Sequence, residues 1–177
     1  MKLTIIDGVP GVGVTRWLTE ADVPTSNADR KGRLILPEFA DIALRNKALG
    51  AGDMSESLIQ ITRSLVAKIE QAEKEGRDLI LGWSPVSYYV FALLKGKRLS
   101  TESILLYEDV MRLVGNSSDT FLLKRQIGAA PNARRLLLMQ PAELLRFGAE
   151  LETEYRRLMG NRVNIILKIG DGIWMAV

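Results

Sequence analysis

The fold is decided by residues 3–15, which read Leu-Thr-Ile-Ile-Asp-Gly-Val-Pro-Gly-Val-Gly-Val-Thr. A short apolar run followed by closely spaced glycines predicts a buried strand, a tight turn and the start of a helix. The glycine spacing is G-x-x-x-x-G-x-T, which is the phosphate-binding P-loop pattern with Val14 at the position of its lysine. The stretch therefore predicts an anion-binding loop that lacks one positive charge.

The predicted loop would hold a nucleotide mainly through its backbone. Glycines allow backbone conformations that a Cβ forbids, so that successive N–H groups can surround a phosphate at the start of a helix. The hydroxyl of Thr15 could reach Mg²⁺, the only metal contact that we expect. The alternative is a glycine-rich turn that joins a strand to a helix and binds nothing. The predicted nucleotide-binding residues of the loop are Gly8, Gly11, Val12, Gly13, Val14, Thr15 and Arg16.

Composition limits the chemistry that this chain of 177 residues can use. With 47% hydrophobic and 25% charged residues, it has the make-up of one globular domain over residues 1–177. The chain contains neither Cys nor His, which excludes thiol nucleophiles, disulfides, histidine bases and histidine metal ligands. Catalysis would have to use carboxylates, Lys, Arg, hydroxyls or a bound metal ion. The net charge of +3 is too small to indicate nucleic acid by itself.

Short apolar runs alternate with helical patterns along the rest of the chain. This alternation predicts an α/β fold in three layers, with a five-stranded, mostly parallel sheet flanked by helices and a C-terminal hairpin strand. The predicted strands are 3–6, 34–36, 78–81, 120–123 and 164–169, with 173–177 as the hairpin strand. The predicted helices are 15–21, 40–49, 54–74, 87–94, 101–114 and 141–159, and residues 22–31 are predicted as a loop.

The order of these features resembles the thymidylate kinase and deoxynucleoside kinase group of P-loop phosphotransferases. Leu36-Pro37-Glu38 is similar to the Pro-Glu that follows the family's second strand, and Gly82-Trp83-Ser84 opens a segment similar to its Glu-Arg-Ser. Residues 118–123, followed by a basic segment, are similar to its fourth strand and arginine-bearing lid. The resemblance covers almost the whole chain and implies a P-loop kinase-like fold, with ATP and Mg²⁺ as cofactors if the protein is active.

The resemblance also implies roles for single residues. Glu38 would be the base that acts on the sugar 5′-hydroxyl, and Arg63 would help to hold a monophosphate. Arg134 and Arg135 would belong to the lid, and Trp83, which stands where the family has an arginine, could be a stacking platform for a base. Each has a simpler interpretation: Glu38 as a charge at a helix start, Trp83 as an apolar plug in the phosphate site, and the arginines as solvated charges.

The departures from the family fall on the groups that do the chemistry. Val14 replaces the loop lysine, and Gly82 and Trp83 stand where the family has an acidic residue and an arginine. Phosphoryl transfer depends on positioning and electrostatic stabilisation, so losing one such positive group costs on the order of 10²-fold in rate or more. We therefore expect weak or absent transfer unless other cations, such as Arg16, Lys31 or the two lid arginines, substitute.

Three functions remain open from the sequence. The first is a kinase-like pseudoenzyme that acts through nucleotide binding, a protein partner or a homo-oligomer, with no other cofactor. The second is an active nucleoside or nucleotide kinase that uses unusual cations. The third is a nucleic-acid-binding accessory protein that uses the basic lid and residues 95–98. No signal-peptide pattern and no apolar run of roughly 18 residues is present, so we expect a cytoplasmic protein, or one in a particle assembled there, with no membrane contact.

Overall fold

The computed structural model describes residues 1–9, 28–30, 32–36, 40–125, 139–169 and 173–176. Several sequence predictions lie outside these residues and keep the standing of predictions. They are the helix over residues 15–21, the lid, and the roles assigned to Gly11, Val12, Gly13, Val14, Thr15, Arg16, Glu38, Arg134 and Arg135.

One twisted sheet organises the described part of the chain. Its seven strands lie in the order β2-β3-β4-β1-β5-β6-β7. The five inner strands are parallel, and an antiparallel strand is added at each edge. The predicted α/β class, the mostly parallel sheet and the C-terminal hairpin strand are therefore confirmed. The strands are β1 Leu3–Gly8, β2 Ala28–Arg30, β3 Arg33–Leu36, β4 Asp78–Gly82, β5 Ser118–Arg125, β6 Val163–Ile169 and β7 Ile173–Ala176.

Five α-helices in the described residues connect the inner strands. Helices α2 and α5 each contact both α3 and α4, and α1 packs on α2, so together they form a layer over the sheet. Alternate strand residues such as Leu3 and Ile5 pack into this layer. The helices are α1 Ile42–Gly50, α2 Ser55–Lys74, α3 Pro85–Leu94, α4 Thr101–Ser117 and α5 Pro141–Met159.

The opposite face of the sheet is also apolar. Ile6, Ile35 and Leu123 are buried but do not belong to the core cluster that the helices share. Successive strand residues point to opposite faces, so these side chains form a second apolar surface. A sheet that buries both faces agrees with the strand sequences, which are continuously hydrophobic rather than alternating.

The helix boundaries follow local signals. The side chain of Ser100 accepts a hydrogen bond from the Ser103 N–H and caps α4, as predicted. Pro141 begins α5, where its missing N–H costs nothing. Gly76, with φ of 65°, turns the chain after α2 into β4.

Some local predictions were wrong. Residues 28–30 were predicted to lie in a loop but form β2, which pairs with β3 across a tight turn at Gly32. Residues 115–117, which lie beyond the end of the predicted helix 101–114, continue α4, and β5 starts directly after them. The apolar pattern of residues 141–159 predicts that Leu144 and Leu145 both face inward. Leu144 is buried, but Leu145 is 70% exposed, because adjacent helical residues point about 100° apart.

Candidate functional site

The candidate site lies at the carboxyl edge of the sheet, where β1 ends at Gly8. β1 lies between β4 and β5, with Ile6 opposite Gly82 and Gly8 opposite Leu123. The chain leaves β1 toward β3 on one side and leaves β5 toward β6 on the other, so the strand order reverses here. Ligands of open α/β sheets bind in the crevice at such a reversal. The predicted phosphate loop therefore begins at the place in this fold that best suits a ligand.

Directly before this loop, Asp7 forms a buried polar cluster. Its carboxylate is fully buried and accepts hydrogen bonds from three elements of the fold. Oδ1 accepts from the Gly8 N–H (2.9 Å) and the Ser87 hydroxyl (2.7 Å). Oδ2 accepts from the Ser84 N–H (3.2 Å), the Ser84 hydroxyl (2.9 Å) and the Tyr155 hydroxyl (2.8 Å). All the donors are neutral, so no cation among the described residues compensates the charge of Asp7.

Burial raises the pKa of Asp7 above the ordinary aspartate range, and its hydrogen bonds only partly offset that shift. The hydroxyl oxygens of Ser84 and Tyr155 are also only 2.6 Å apart, so with Oδ2 they form a triangle of three short contacts. While Asp7 is ionised, two hydroxyl protons can serve only two of these three contacts, which favours the protonated carboxyl in the same direction as burial. Burial and then the nearby Asp7 raise the pKa of Tyr155 well above its ordinary value, so Tyr155 stays a donor.

The raised pKa of Asp7 predicts a pH-dependent stability. A carboxyl whose pKa is higher in the folded state stabilises the fold fully below its unfolded-state pKa, and this contribution disappears as the pH rises through the folded-state pKa. We therefore expect the difference in free energy of unfolding, wild type minus Asp7→Asn, to decrease as the pH rises from acidic to neutral. Urea unfolding of both proteins across that range measures the difference. A difference that rises with pH would contradict the direction of the shift.

Trp83 follows β4 in an unusual backbone conformation. Its φ of 54° is the only positive φ of a non-glycine residue in the described part of the chain. For a bulky side chain this conformation costs about 1–3 kcal/mol and persists only where the surroundings enforce it. The indole is half-buried and meets the ring of Tyr88 edge-on, with the ring centroids 6.3 Å apart. Strain of this kind is concentrated at functional sites, which supports the choice of Trp83 as a site residue.

The remaining predicted site residues in the described ranges are Gly8 and Arg63. Gly8 is buried at the end of β1 and its N–H is held by Asp7. Arg63 lies on an exposed position of α2. Both interpretations of Arg63, as a phosphate ligand and as a surface charge, are compatible with this exposure.

The basic loop over residues 95–98 is engaged within the protein. The Lys95 ammonium pairs with Glu143 at the start of α5 (2.7 Å). Lys97 donates to the carbonyl of Ala51 and lies over the ring of Phe91, 5.6 Å from its centroid. The backbone of Arg98 pairs with Asp53 and Gly52. These contacts join α3 to the start of α2. They also occupy the ammonium groups of Lys95 and Lys97, which the third hypothesis assigns to nucleic-acid binding.

A second buried polar group connects α4 to α5. The Tyr107 hydroxyl donates to Glu154 (2.9 Å), and Arg157 bonds both oxygens of that carboxylate. Arg157 also reaches Glu108 (2.7 Å), while the ring of Tyr89 stacks on that of Tyr107 at 4.6 Å. Burial, followed by Glu154, raises the pKa of Tyr107 well above its ordinary value. Tyr107 and Arg157 thus hold Glu154, which directly precedes Tyr155 on α5. The two networks fix the rotation of α5.

Sequence reasoning missed both clusters. It interpreted Asp7 as either an acid near a metal or a strand-end residue with a local hydrogen bond, and the bond to Gly8 is present. Its partners Ser84, Ser87 and Tyr155 are distant in sequence, so no local pattern connects them to Asp7. The available signal was a carboxylate at the end of an apolar strand and a Ser-Pro pair at the end of another.

Within residues that the structure describes, no three Asp or Glu side chains are grouped closely enough to hold a metal ion. The same residues include no helix that is both long and apolar enough to span a membrane. No protein-family model matches the chain, and no curated protein matches it.

Proposed function

We propose that this chain is a nucleotide or nucleoside kinase-like protein with degenerate catalytic groups. In this proposal phosphoryl transfer is weak or absent, and the protein acts by binding a nucleotide or by contacting other proteins. The observation that carries the proposal is the position of Trp83. It follows β4 directly, one strand away from Gly8, where the resemblance implies a phosphate-binding arginine.

The electrostatics around Gly8 support the loss of transfer activity. Asp7 is held by the neutral donors Ser84, Ser87 and Tyr155, and the neighbouring Trp83 is uncharged. A transferring phosphoryl group needs positive groups at fixed positions, and neither an indole nor a neutral hydroxyl supplies one. Backbone N–H groups of a glycine loop still attract an anion, so binding can persist without catalysis.

Exposed leucines support the part of the proposal that concerns protein contacts. Leu93, Leu105, Leu113 and Leu145 are 52–70% exposed and lie on α3, α4 and α5. Large aliphatic side chains on several helices give a partner apolar area to bury. We expect a partner or a second copy to cover some of these exposed leucines.

The first test compares ligand binding with turnover. The purified full chain is heated with Mg-ATP, Mg-dTMP or both, and ADP release is followed in parallel with thymidine and dTMP as acceptors. We expect an increase in melting temperature with Mg-ATP, because a ligand that binds only the folded state stabilises it. We expect no ADP release beyond a single turnover. Multiple-turnover transfer would overturn the proposal, as would the combination of no stabilisation by nucleotide and a monomer at all concentrations in light scattering. Mg²⁺ with inorganic phosphate is the control for a general anion effect.

A further inference from the structure

The two edges of the sheet differ in how they are protected against pairing with another chain. β2, at one edge, has three residues, of which Asp29 and Arg30 are charged. β7, at the other edge, reads Ile-Trp-Met-Ala over residues 173–176, without a charged residue or a proline. Sheets commonly protect their edges with charged residues, proline or very short strands. None of the strands that the structure describes pairs with the outer side of β7, which thus has the features of an edge that accepts a further strand.

One flank of helix α5 faces this edge. Across the sheet, α2 contacts β4, α4 contacts β5 and α5 contacts β6, so these helices follow the strand order. Glu154 marks the flank of α5 that faces α4, because it accepts a hydrogen bond from Tyr107 on that helix. Leu145 is nine residues before Glu154, which corresponds to a rotation of about 180°. Leu145 therefore lies on the opposite flank, toward β7.

Leu145 also lies at the level of β7 along the strands. β5 and β6 are parallel, so the helix between them runs back from the carboxyl ends of the strands. Leu145 is in the second turn of this helix, near those ends, and β7 pairs with residues 166–169, the last part of β6. Its side chain is 70% exposed, the largest fraction among the large apolar side chains of the described residues. An unprotected strand edge and an exposed leucine thus adjoin.

We propose that β7 pairs antiparallel with β7 of a second copy of this chain, across a two-fold axis, so that the two sheets become one. Antiparallel pairing keeps both helical layers on the same face of the joined sheet. Strands are about 4.8 Å apart and a helix extends about 5–6 Å from its axis, so a leucine on the flank of a helix over β6 reaches across β7 toward the added strand. Each Leu145 then covers β7 of the other copy. This interface deepens the part of the proposed function that concerns protein contacts, and it rests on that part alone.

The surface beside β7 suits a second copy because it is complementary to itself. At helical spacing from Leu145, the same flank of α5 carries Ala149, Glu152 and Arg156. Glu152 and Arg156 pair with each other at 3.0 Å, so the flank has no net charge and does not repel a copy of itself. The uncharged strand β7 is also the kind of strand that its own edge accepts. In a two-fold contact both edges are covered at once, which favours a copy over an unrelated strand.

The first test is the oligomeric state of the full chain. Sedimentation equilibrium over a wide range of concentrations should show a monomer–dimer equilibrium, with twice the mass of the chain at high concentration. Hydrogen exchange measured by mass spectrometry at both ends of that range locates the contact. The slowest amides of residues 173–176 should exchange about tenfold more slowly in the dimer, because alternate N–H groups of β7 point outward and gain acceptors there. Exchange of β2 should not change.

The variant Leu145→Lys tests the flank of α5. Four strand residues bury little area by themselves, so the leucine should contribute measurably. A lysine there removes the apolar contact and places a charge beside the added strand, and we expect the dimer to dissociate about tenfold more readily. The matched control is Leu113→Lys on α4, where the leucine is 69% exposed and lies outside this interface. It should leave the dissociation constant unchanged.

The outcomes separate this interface from nucleotide binding. A monomer at every concentration would overturn the interface, as would a dimer whose residues 173–176 exchange as fast as in the monomer. Equal dissociation constants for the two lysine variants would also overturn it. If Leu145→Lys does not fold, the exchange of residues 173–176 in the wild type decides. Stabilisation of a permanent monomer by Mg-ATP would leave nucleotide binding standing without the dimer, and a β7-paired dimer with no response to nucleotide would show the reverse.

Discussion

Replacing Asp7 with alanine is expected to lower the free energy of unfolding by about 3 kcal/mol or more. The substitution leaves the N–H groups of Gly8 and Ser84 without an acceptor in a site that water does not reach. Each buried donor without a partner costs about 1–3 kcal/mol, and the hydroxyls of Ser87 and Tyr155 lose their acceptor as well. Urea unfolding monitored by circular dichroism measures the loss.

The control is Asp109→Ala on the exposed side of α4. It removes the same side chain without a buried partner and should change the free energy of unfolding by no more than about 0.5 kcal/mol. If the two alanine variants were equally stable, the carboxylate of Asp7 would not organise the end of β1.

Asparagine at position 7 distinguishes the charge of the group from its hydrogen-bonding geometry. Each oxygen of Asp7 accepts from one backbone N–H, that of Gly8 on Oδ1 and that of Ser84 on Oδ2. An asparagine side chain must place its NH₂ group against one of them in either orientation, and two donors repel. A protonated carboxyl avoids this conflict, because its hydroxyl oxygen still accepts. Asp7→Asn should therefore destabilise the fold even at a pH where Asp7 itself is neutral.

Under the proposed function, adding the two positive charges that the kinase resemblance implies should raise nucleotide affinity. The double variant Val14→Lys with Trp83→Arg is expected to bind Mg-ATP at least about tenfold more tightly than the wild type, because a hydrogen bond to a charged group contributes about 1.5–3 kcal/mol. Trp83→Arg also replaces the indole with the residue type that the resemblance implies after β4. Isothermal titration calorimetry at constant ionic strength measures the affinity, and ADP release shows whether turnover returns.

A charge-matched control separates local from general electrostatics. Leu105→Lys with Leu113→Arg adds the same two charges at exposed positions of α4 and should leave Mg-ATP affinity unchanged. An equal gain in both double variants would indicate an effect of net charge alone. No gain in the Val14 and Trp83 variant would contradict the view that missing cations limit binding.

The order of the elements was largely readable from the sequence. Helix α5 begins at Pro141 and ends at Met159, as predicted, because a proline start and a repeated apolar stripe are local signals. Each parallel strand was marked by a continuous apolar run. Strand β2 was not, because Ala28-Asp29-Arg30 has neither alternation nor an apolar run and is held only by pairing with β3.

The features of the candidate site also divide into those readable from the sequence and those set by the tertiary structure. The sequence by itself determined the α/β class and the absence of histidine and cysteine chemistry, since apolar patterning and residue type suffice for each, and it predicts a phosphate loop with Val14 at the position of the lysine. Only the tertiary structure decided that Asp7 would meet Ser84, Ser87 and Tyr155, and that Trp83 would take a left-handed conformation. Those contacts join residues up to 148 positions apart, and their geometry depends on strand order and on the rotation of α5, which local sequence does not encode.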